Sequence, residues 1–124
     1  ELAVSSASTS TMERGARLGA SQQRLLVDYI EGNLGRKVTL SELAGVLGLN
    51  RFYFSRCFTA TFLMPPYQYM LLRRIEKAKE LLRHPGTSTA AVAAAVGFAS
   101  SSQFTSLFKR ATGQTPREYR LSAL

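Results

Sequence analysis

Cysteine and histidine occur once each in this 124-residue chain, as Cys57 and His84, and tryptophan is absent. A single cysteine excludes an internal disulfide and any multi-cysteine zinc site. A single histidine excludes a histidine-based metal cluster within one chain, so no metal and no cofactor is expected. Acidic residues are scarce: eight Asp and Glu face sixteen Lys and Arg, for a net charge of +8. That excess points to an anionic partner, nucleic acid first and a membrane surface second. Long apolar runs are missing too. Nothing approaches the roughly 20 residues of a membrane span, and no leader pattern is visible. With so little cysteine, a reducing, cytoplasmic setting is expected. No Ser-His-Asp set, carboxylate pair or phosphate loop is legible, so no catalysis is expected within this stretch. Strict period-two alternation is also lacking, which leaves an all-α fold.

What is present is a duplication. Thr39 to Tyr69 reads TLSELAGVLGLNRFYFSRCFTATFLMPPYQY, and Ser88 to Tyr119 reads STAAVAAAVGFASSSQFTSLFKRATGQTPREY. Leu43, Ala44, Leu47 and Gly48 match Val92, Ala93, Val96 and Gly97 at an offset of 49. Phe54, Phe58, Pro66 and Tyr69 match Phe104, Phe108, Pro116 and Tyr119 at an offset of 50. One residue has therefore been inserted after the second glycine turn.

Each copy is punctuated as helix, short turn, helix. Thr39 and Glu42 make a T-x-x-E capping box, and Leu40, Leu43, Ala44 and Leu47 form one apolar stripe. Gly48 suits the positive φ of the turn, and Asn50 suits an N-cap. Phe54, Cys57, Phe58 and Phe62 lie on the inner face of the second helix. In the second copy Ser88 caps, Gly97 turns, Ser100 or Ser101 caps, and Phe104, Leu107 and Phe108 face inward until Gly113. A helix before the first copy starts at Ser21 and is closed by Gly35. Pro66 opens a long middle helix with inner stripe Leu71, Ile75, Ala78 and Leu82, stopped by His84-Pro85-Gly86. Thr115-Pro116 starts a short terminal helix. The total is about seven helices. Residues 1–20 read as a mostly disordered linker rich in Ser, Thr, Ala and Gly. The remainder divides into a first helix-turn-helix part (21–65), a linking helix (66–84) and a second helix-turn-helix part (85–124). A chain opening on Glu1 rather than Met is expected to be a fragment.

A helix-turn-helix unit in a basic chain suggests a module for the DNA major groove, where base edges present distinguishable donors and acceptors. The second helix of each copy is the candidate reader. In the first, Arg56 can fork onto guanine beside Ser55, and Phe52 can meet a thymine methyl. In the second, Ser101, Ser102, Gln103 and Ser106 are outward, and Gln103 can pair with adenine. The first copy is expected to discriminate bases more. Arg51 and Thr59 in the first copy, and Thr105, Lys109 and Arg110 in the second, are the candidate phosphate contacts. A middle helix of about 17 residues spans roughly 25 Å. That can hold two readers near one duplex turn apart, about 34 Å.

The run G-F-x-S-x-S-x-F-x-x-x-F-K-R-x-x-G-x-x-P-x-x-Y-R, Gly97 to Arg120, resembles the signature of the AraC/XylS family of bacterial transcription regulators. The resemblance covers about Ser21 to Ala123. It implies two homeodomain-like helix-turn-helix subdomains joined by a long helix. Base-facing family positions fall on Phe52, Ser55, Arg56, Ser101, Ser102 and Ser106. It further implies double-stranded DNA as partner in the nucleoid, activation with RNA polymerase, and a separate N-terminal domain for a small-molecule effector or dimerisation. Leu63 stands where the second copy has Gly113, so a different exit turn is expected there. The alternative is a DNA-targeting module of an alkylation-repair methyltransferase whose catalytic part lies elsewhere. A third class, a basic helical module for protein or membrane, leaves the duplication unexplained.

Plain structural roles are expected elsewhere. The paired phenylalanines are core, Cys57 is a buried inert thiol, and His84 is a water-facing residue at a helix end. Tyr69 and Tyr119 pack at helix ends. Arg73, Arg74 and Lys77 belong to a solvated face rather than to phosphate contacts.

Overall fold

The computed structural model describes residues 16–123. Seven helices occur among them, and no strand. They are α1 (Ala20–Gly32), α2 (Leu40–Val46), α3 (Arg51–Phe62), α4 (Pro66–Leu82), α5 (Thr89–Ala95), α6 (Ser101–Thr112) and α7 (Pro116–Ala123).

Two compact units share the chain. The first takes the N-terminal residues through Gly32 together with Val38–Tyr69. The second takes Asn33–Lys37 and everything from Met70 onward. In the first unit Leu26, Ile30, Leu43, Ala44, Phe54, Cys57 and Phe58 are buried. Phe58 stacks on Phe62 at 4.4 Å and meets the edge of Tyr69 at 5.5 Å. In the second unit Ile75, Ala78, Leu82, Val92, Ala93, Val96, Phe98, Phe104 and Phe108 form the core. Phe108 meets the edge of Tyr119 at 5.6 Å. The duplicated phenylalanine-tyrosine contact is the packing behind the sequence repeat. Edge-on aromatic pairs of this kind add about 0.5–1.5 kcal/mol beyond area burial.

Local chemistry sets the helix starts. Thr39 Oγ1 accepts from Glu42 N–H at 3.1 Å, Ser88 Oγ from Ala91 N–H at 3.0 Å, and Ser100 Oγ from Gln103 N–H at 3.1 Å. Asn50 Oδ1 accepts from Phe52 N–H at 2.8 Å and Tyr53 N–H at 3.3 Å. Each such cap is worth about 0.5–2 kcal/mol. The Glu42 carboxylate also receives the Tyr29 hydroxyl, which ties α1 to α2. In the second unit the Arg120 guanidinium donates to the carbonyls of Leu82, at 2.8 Å from Nε, and Thr87. It thereby covers the turn between α4 and α5.

Three expectations change. First, α1 ends at Gly32, not at Gly35. Gly35 instead admits a neighbouring backbone, because a Cβ there would lie 2.9 Å from the Ala95 carbonyl oxygen, too close for any side chain. Second, the proposed linker 1–20 lies outside the described residues as far as residue 15, but its end is built into the first unit. Leu18 is buried, and its N–H donates to Thr61 Oγ1 at 2.8 Å. The Gln23 side-chain amide donates back to the Leu18 carbonyl at 2.8 Å. Third, the exit turn at Leu63 is not different. Leu63 is left-handed (φ 63°), as Gly113 is (φ 84°), and each closes its helix the same way.

Candidate nucleic-acid interface

The caps fix the register between the two candidate reading helices. Asn50 and Ser100 start α3 and α6, and both helices run twelve residues. Phe52, Ser55 and Arg56 therefore correspond to Ser102, Thr105 and Ser106, with Thr59 opposite Lys109. On α3 the positions 52, 55, 56 and 59 follow i, i+3, i+4, i+7 and form one stripe. Phe52 is 59% exposed, Arg51, Arg56 and Thr59 are exposed, and Ser55 is half-buried. The Arg51 guanidinium sits over the Phe52 ring at 4.9 Å. That cation–π contact orients the first turn of the helix, worth about 0.5–1 kcal/mol at an exposed site. A shallow hollow lined by Ser41, Ala44, Gly45, Leu49 and Asn50 adjoins this pair. Sequence reasoning missed the Arg51–Phe52 contact, although the adjacency itself was its signal.

On α6 Ser101, Ser102, Gln103, Ser106, Lys109 and Arg110 are exposed, and Thr105 is half-buried like Ser55. Lys109 and Arg110 lie in the last turn, where cations favour the helix dipole. The structure brings α3's candidates together on one unit and α6's on the other.

Gln103 has a further duty. Its Oε1 accepts from Ala99 N–H at 3.2 Å. The caps Thr39 and Ser88 lie 49 apart and the caps Asn50 and Ser100 lie 50 apart. The inserted residue therefore falls between Gly97 and Ser100, and Gln103 takes up an N–H there. Its amide oxygen is engaged, so bidentate pairing to adenine, which needs both ends of the amide, competes with the cap.

Cys57 is buried at 3% exposure, and His84 is exposed beyond the end of α4. Among the described residues no cluster of His, Cys, Asp and Glu could hold a metal ion. None of their helices is long and apolar enough to cross a membrane.

The family model described as a helix-turn-helix domain matches residues 43–122, more than half of the chain. The chain belongs to the AraC-type helix-turn-helix family. A probable transcriptional regulator, LumQ of Photobacterium leiognathi, is 33% identical over 96 residues, 77% of this chain and 39% of LumQ. The bifunctional transcriptional activator/DNA repair enzyme AdaA of Bacillus subtilis is 31% identical over 96 residues, 77% of this chain and 46% of AdaA. The DNA-binding domain of AdpA, a global transcriptional factor solved with a target DNA, superposes with a TM-score of 0.74. It shares 26% identity, over 82% of this chain and 90% of that domain. The AraC-type chain thus spans less than half the length of these two curated relatives. It is a DNA-binding domain of the AraC type.

Proposed function

We propose that this AraC-type domain reads two successive major-groove segments of an asymmetric operator. Helix α3 reads through Phe52, Ser55 and Arg56, with Arg51 and Thr59 on flanking phosphates. Helix α6 reads through Ser101, Ser102 and Ser106, with Thr105, Lys109 and Arg110 toward the backbone. Gln103 is first a cap and only secondarily a reader. The observation that carries this reading is the repeated geometry: two twelve-residue helices, each side-chain capped, each anchored inward by a phenylalanine pair and carrying its candidate contacts outward. The unbroken 17-residue α4 between them supports a tandem rather than a single reader.

Discrimination falls mainly on α3, because a bidentate arginine–guanine contact distinguishes bases by about 1–3 kcal/mol. Short serines are permissive. The domain has no chemistry of its own in this reading; the buried Cys57 is packing. In the whole protein the domain directs an activator to its promoter, with RNA polymerase as partner and any effector bound by another domain, in the bacterial cytoplasm. The description of AdaA as an activator supports activation. Its description as a repair enzyme also supports a second reading, in which the domain targets a catalytic part carried elsewhere.

Selection of bound duplexes from a random library, followed by salt titration, tests the tandem reading. Two half-sites about one helical turn apart are the expected result. Enrichment of one half-site alone would make α6 a clamp. Steep salt-dependent binding without enrichment would overturn sequence-specific reading by this stretch.

A further inference from the structure

The two helix-turn-helix turns share a left-handed glycine but not its surroundings. At Gly48 (φ 68°) the space a Cβ would occupy is open, with nothing within 4 Å. At Gly97 (φ 85°) a Cβ would meet the Leu34 carbonyl oxygen at 2.5 Å and Arg74 Cζ and Nε at 3.4 Å. Next to it, Gly35 abuts the Ala95 carbonyl. Leu34, Gly35, Arg74, Ala95 and Gly97 all belong to the second unit. The glycine of the second turn is therefore closed in by the Leu34 carbonyl and by Arg74, while the Cβ space at the glycine of the first turn is open.

The cover is itself braced. Arg74 Nη2 donates to the Arg36 carbonyl at 2.8 Å. Arg36 N–H and Nε donate to the Asn33 carbonyl and Oδ1 at 3.3 and 2.9 Å. A planar guanidinium can lie flat against a glycine while donating in its own plane, which an ammonium cannot. Arg74 is thus a built part of the second unit, not a member of the solvated face expected from sequence.

We propose that Arg74 is a positioning residue for the second reading helix. With Asn33–Lys37 it fixes the Ala95–Gly97 turn, and so fixes the direction in which α6 leaves α5. The second motif is then not self-contained: it uses a piece of chain that precedes the first motif. The asymmetry suits the chemistry, because α6 carries short serines where α3 carries Arg56. A reader with weak contacts gains most from being held in place, since less ordering is left for the moment of binding.

The proposal rests on the two-half-site reading, and two measurements on the full chain keep the two apart. The first is affinity for a duplex with both half-sites against one with the second half-site scrambled. Arg74→Ala should lower the wild-type preference by about tenfold, with affinity for the scrambled duplex unchanged. Arg74→Lys, whose ammonium can donate to the Arg36 carbonyl but cannot also lie flat against Gly97, should restore only a minor part of it. An equal loss on both duplexes would overturn the proposal. So would a salt slope shallower by about one, which would make Arg74 a phosphate contact.

The second measurement is amide exchange without DNA. Gly97 and Phe98 N–H groups are hydrogen-bonded to Ala94 and Ala93, as Gly48 and Leu49 are to Gly45 and Ala44. Arg74→Ala should speed exchange at Gly97 and Phe98 about tenfold and leave Gly48 and Leu49 alone. Unchanged exchange at Gly97 and Phe98 would overturn the proposal. Should the wild type show no preference for the second half-site, the tandem reading fails and exchange alone decides the role of Arg74.

Discussion

Leu63 and Gly113 occupy the same place at the ends of α3 and α6, and both are left-handed, at φ 63°, ψ 24° and φ 84°, ψ −4°. Leu63 N–H reaches the Thr59 carbonyl at 2.9 Å, and Gly113 N–H the Lys109 carbonyl at 2.8 Å. The turn is the same; only the residue differs. A side chain in this conformation costs about 1–2 kcal/mol. Leu63 is 83% exposed, so burial does not offset that strain. Leu63→Gly should raise stability by about 0.5–1 kcal/mol after the entropy cost of glycine. Urea denaturation should show a higher midpoint at unchanged slope. A lower midpoint would mean that the leucine side chain stabilises more than its backbone strains.

Helix α7 starts with a reciprocal cap: Thr115 Oγ1 accepts from Glu118 N–H at 3.1 Å, and Glu118 Oε1 accepts from Thr115 N–H at 2.8 Å. The hydrogen bonds from the Thr115 backbone and side chain hold the Glu118 carboxyl below its ordinary range. A depressed folded-state value contributes stability above the unfolded value and loses it as pH falls through the folded one. The cap should therefore be complete at neutral pH and fade below about pH 4. Glu118→Gln should unfold at a lower temperature than wild type at pH 7, and the gap should narrow on acidification. A gap that widens at low pH would rule out a carboxylate cap.

The caps are legible in the sequence because their chemistry is local. Thr39, Asn50, Ser88 and Ser100 each serve an N–H two or three residues on, a distance that sequence spacing specifies. The inward phenylalanines are legible by helical period. Gly35 is not, because a glycine that ends a helix and one that admits a neighbouring backbone look alike in sequence. Arg74 and Arg120 escape sequence reasoning because their acceptors, the carbonyls of Arg36 and Leu82, lie 38 residues away in each case. A carbonyl carries no residue-type signal. Residue type alone points Gln103 at adenine, while the insertion beside it gives its amide a prior acceptor role.

Arg56 is the exposed arginine at the centre of the α3 stripe, and Ser106 holds the same place on α6. Arg56→Ala should cost about 1–3 kcal/mol on the selected operator and relax preference at a single base pair. Ser106→Ala should cost less than about 1 kcal/mol, the scale of one neutral hydrogen bond. Binding curves on single-substitution operator variants separate the outcomes. If Arg56→Ala weakens all variants equally, Arg56 is a phosphate contact, and Phe52 and Ser55 are left to discriminate.

Lys109 replaces Thr59 at the matching position of α6, and with Arg110 it places two cations in that helix's last turn. A lysine here is a flexible point charge, suited to a phosphate rather than to a base edge. Each neutralised phosphate releases condensed counterion, steepening the salt dependence of log affinity by about 0.9 on a double helix. Lys109→Ala should therefore flatten that slope by about one and weaken specific and random duplexes alike. The ratio of specific to random affinity should stay constant at every salt concentration. A fall in that ratio would place Lys109 on a base edge. An unchanged slope would leave Arg110 as the phosphate contact and Lys109 as a charge serving the helix end alone.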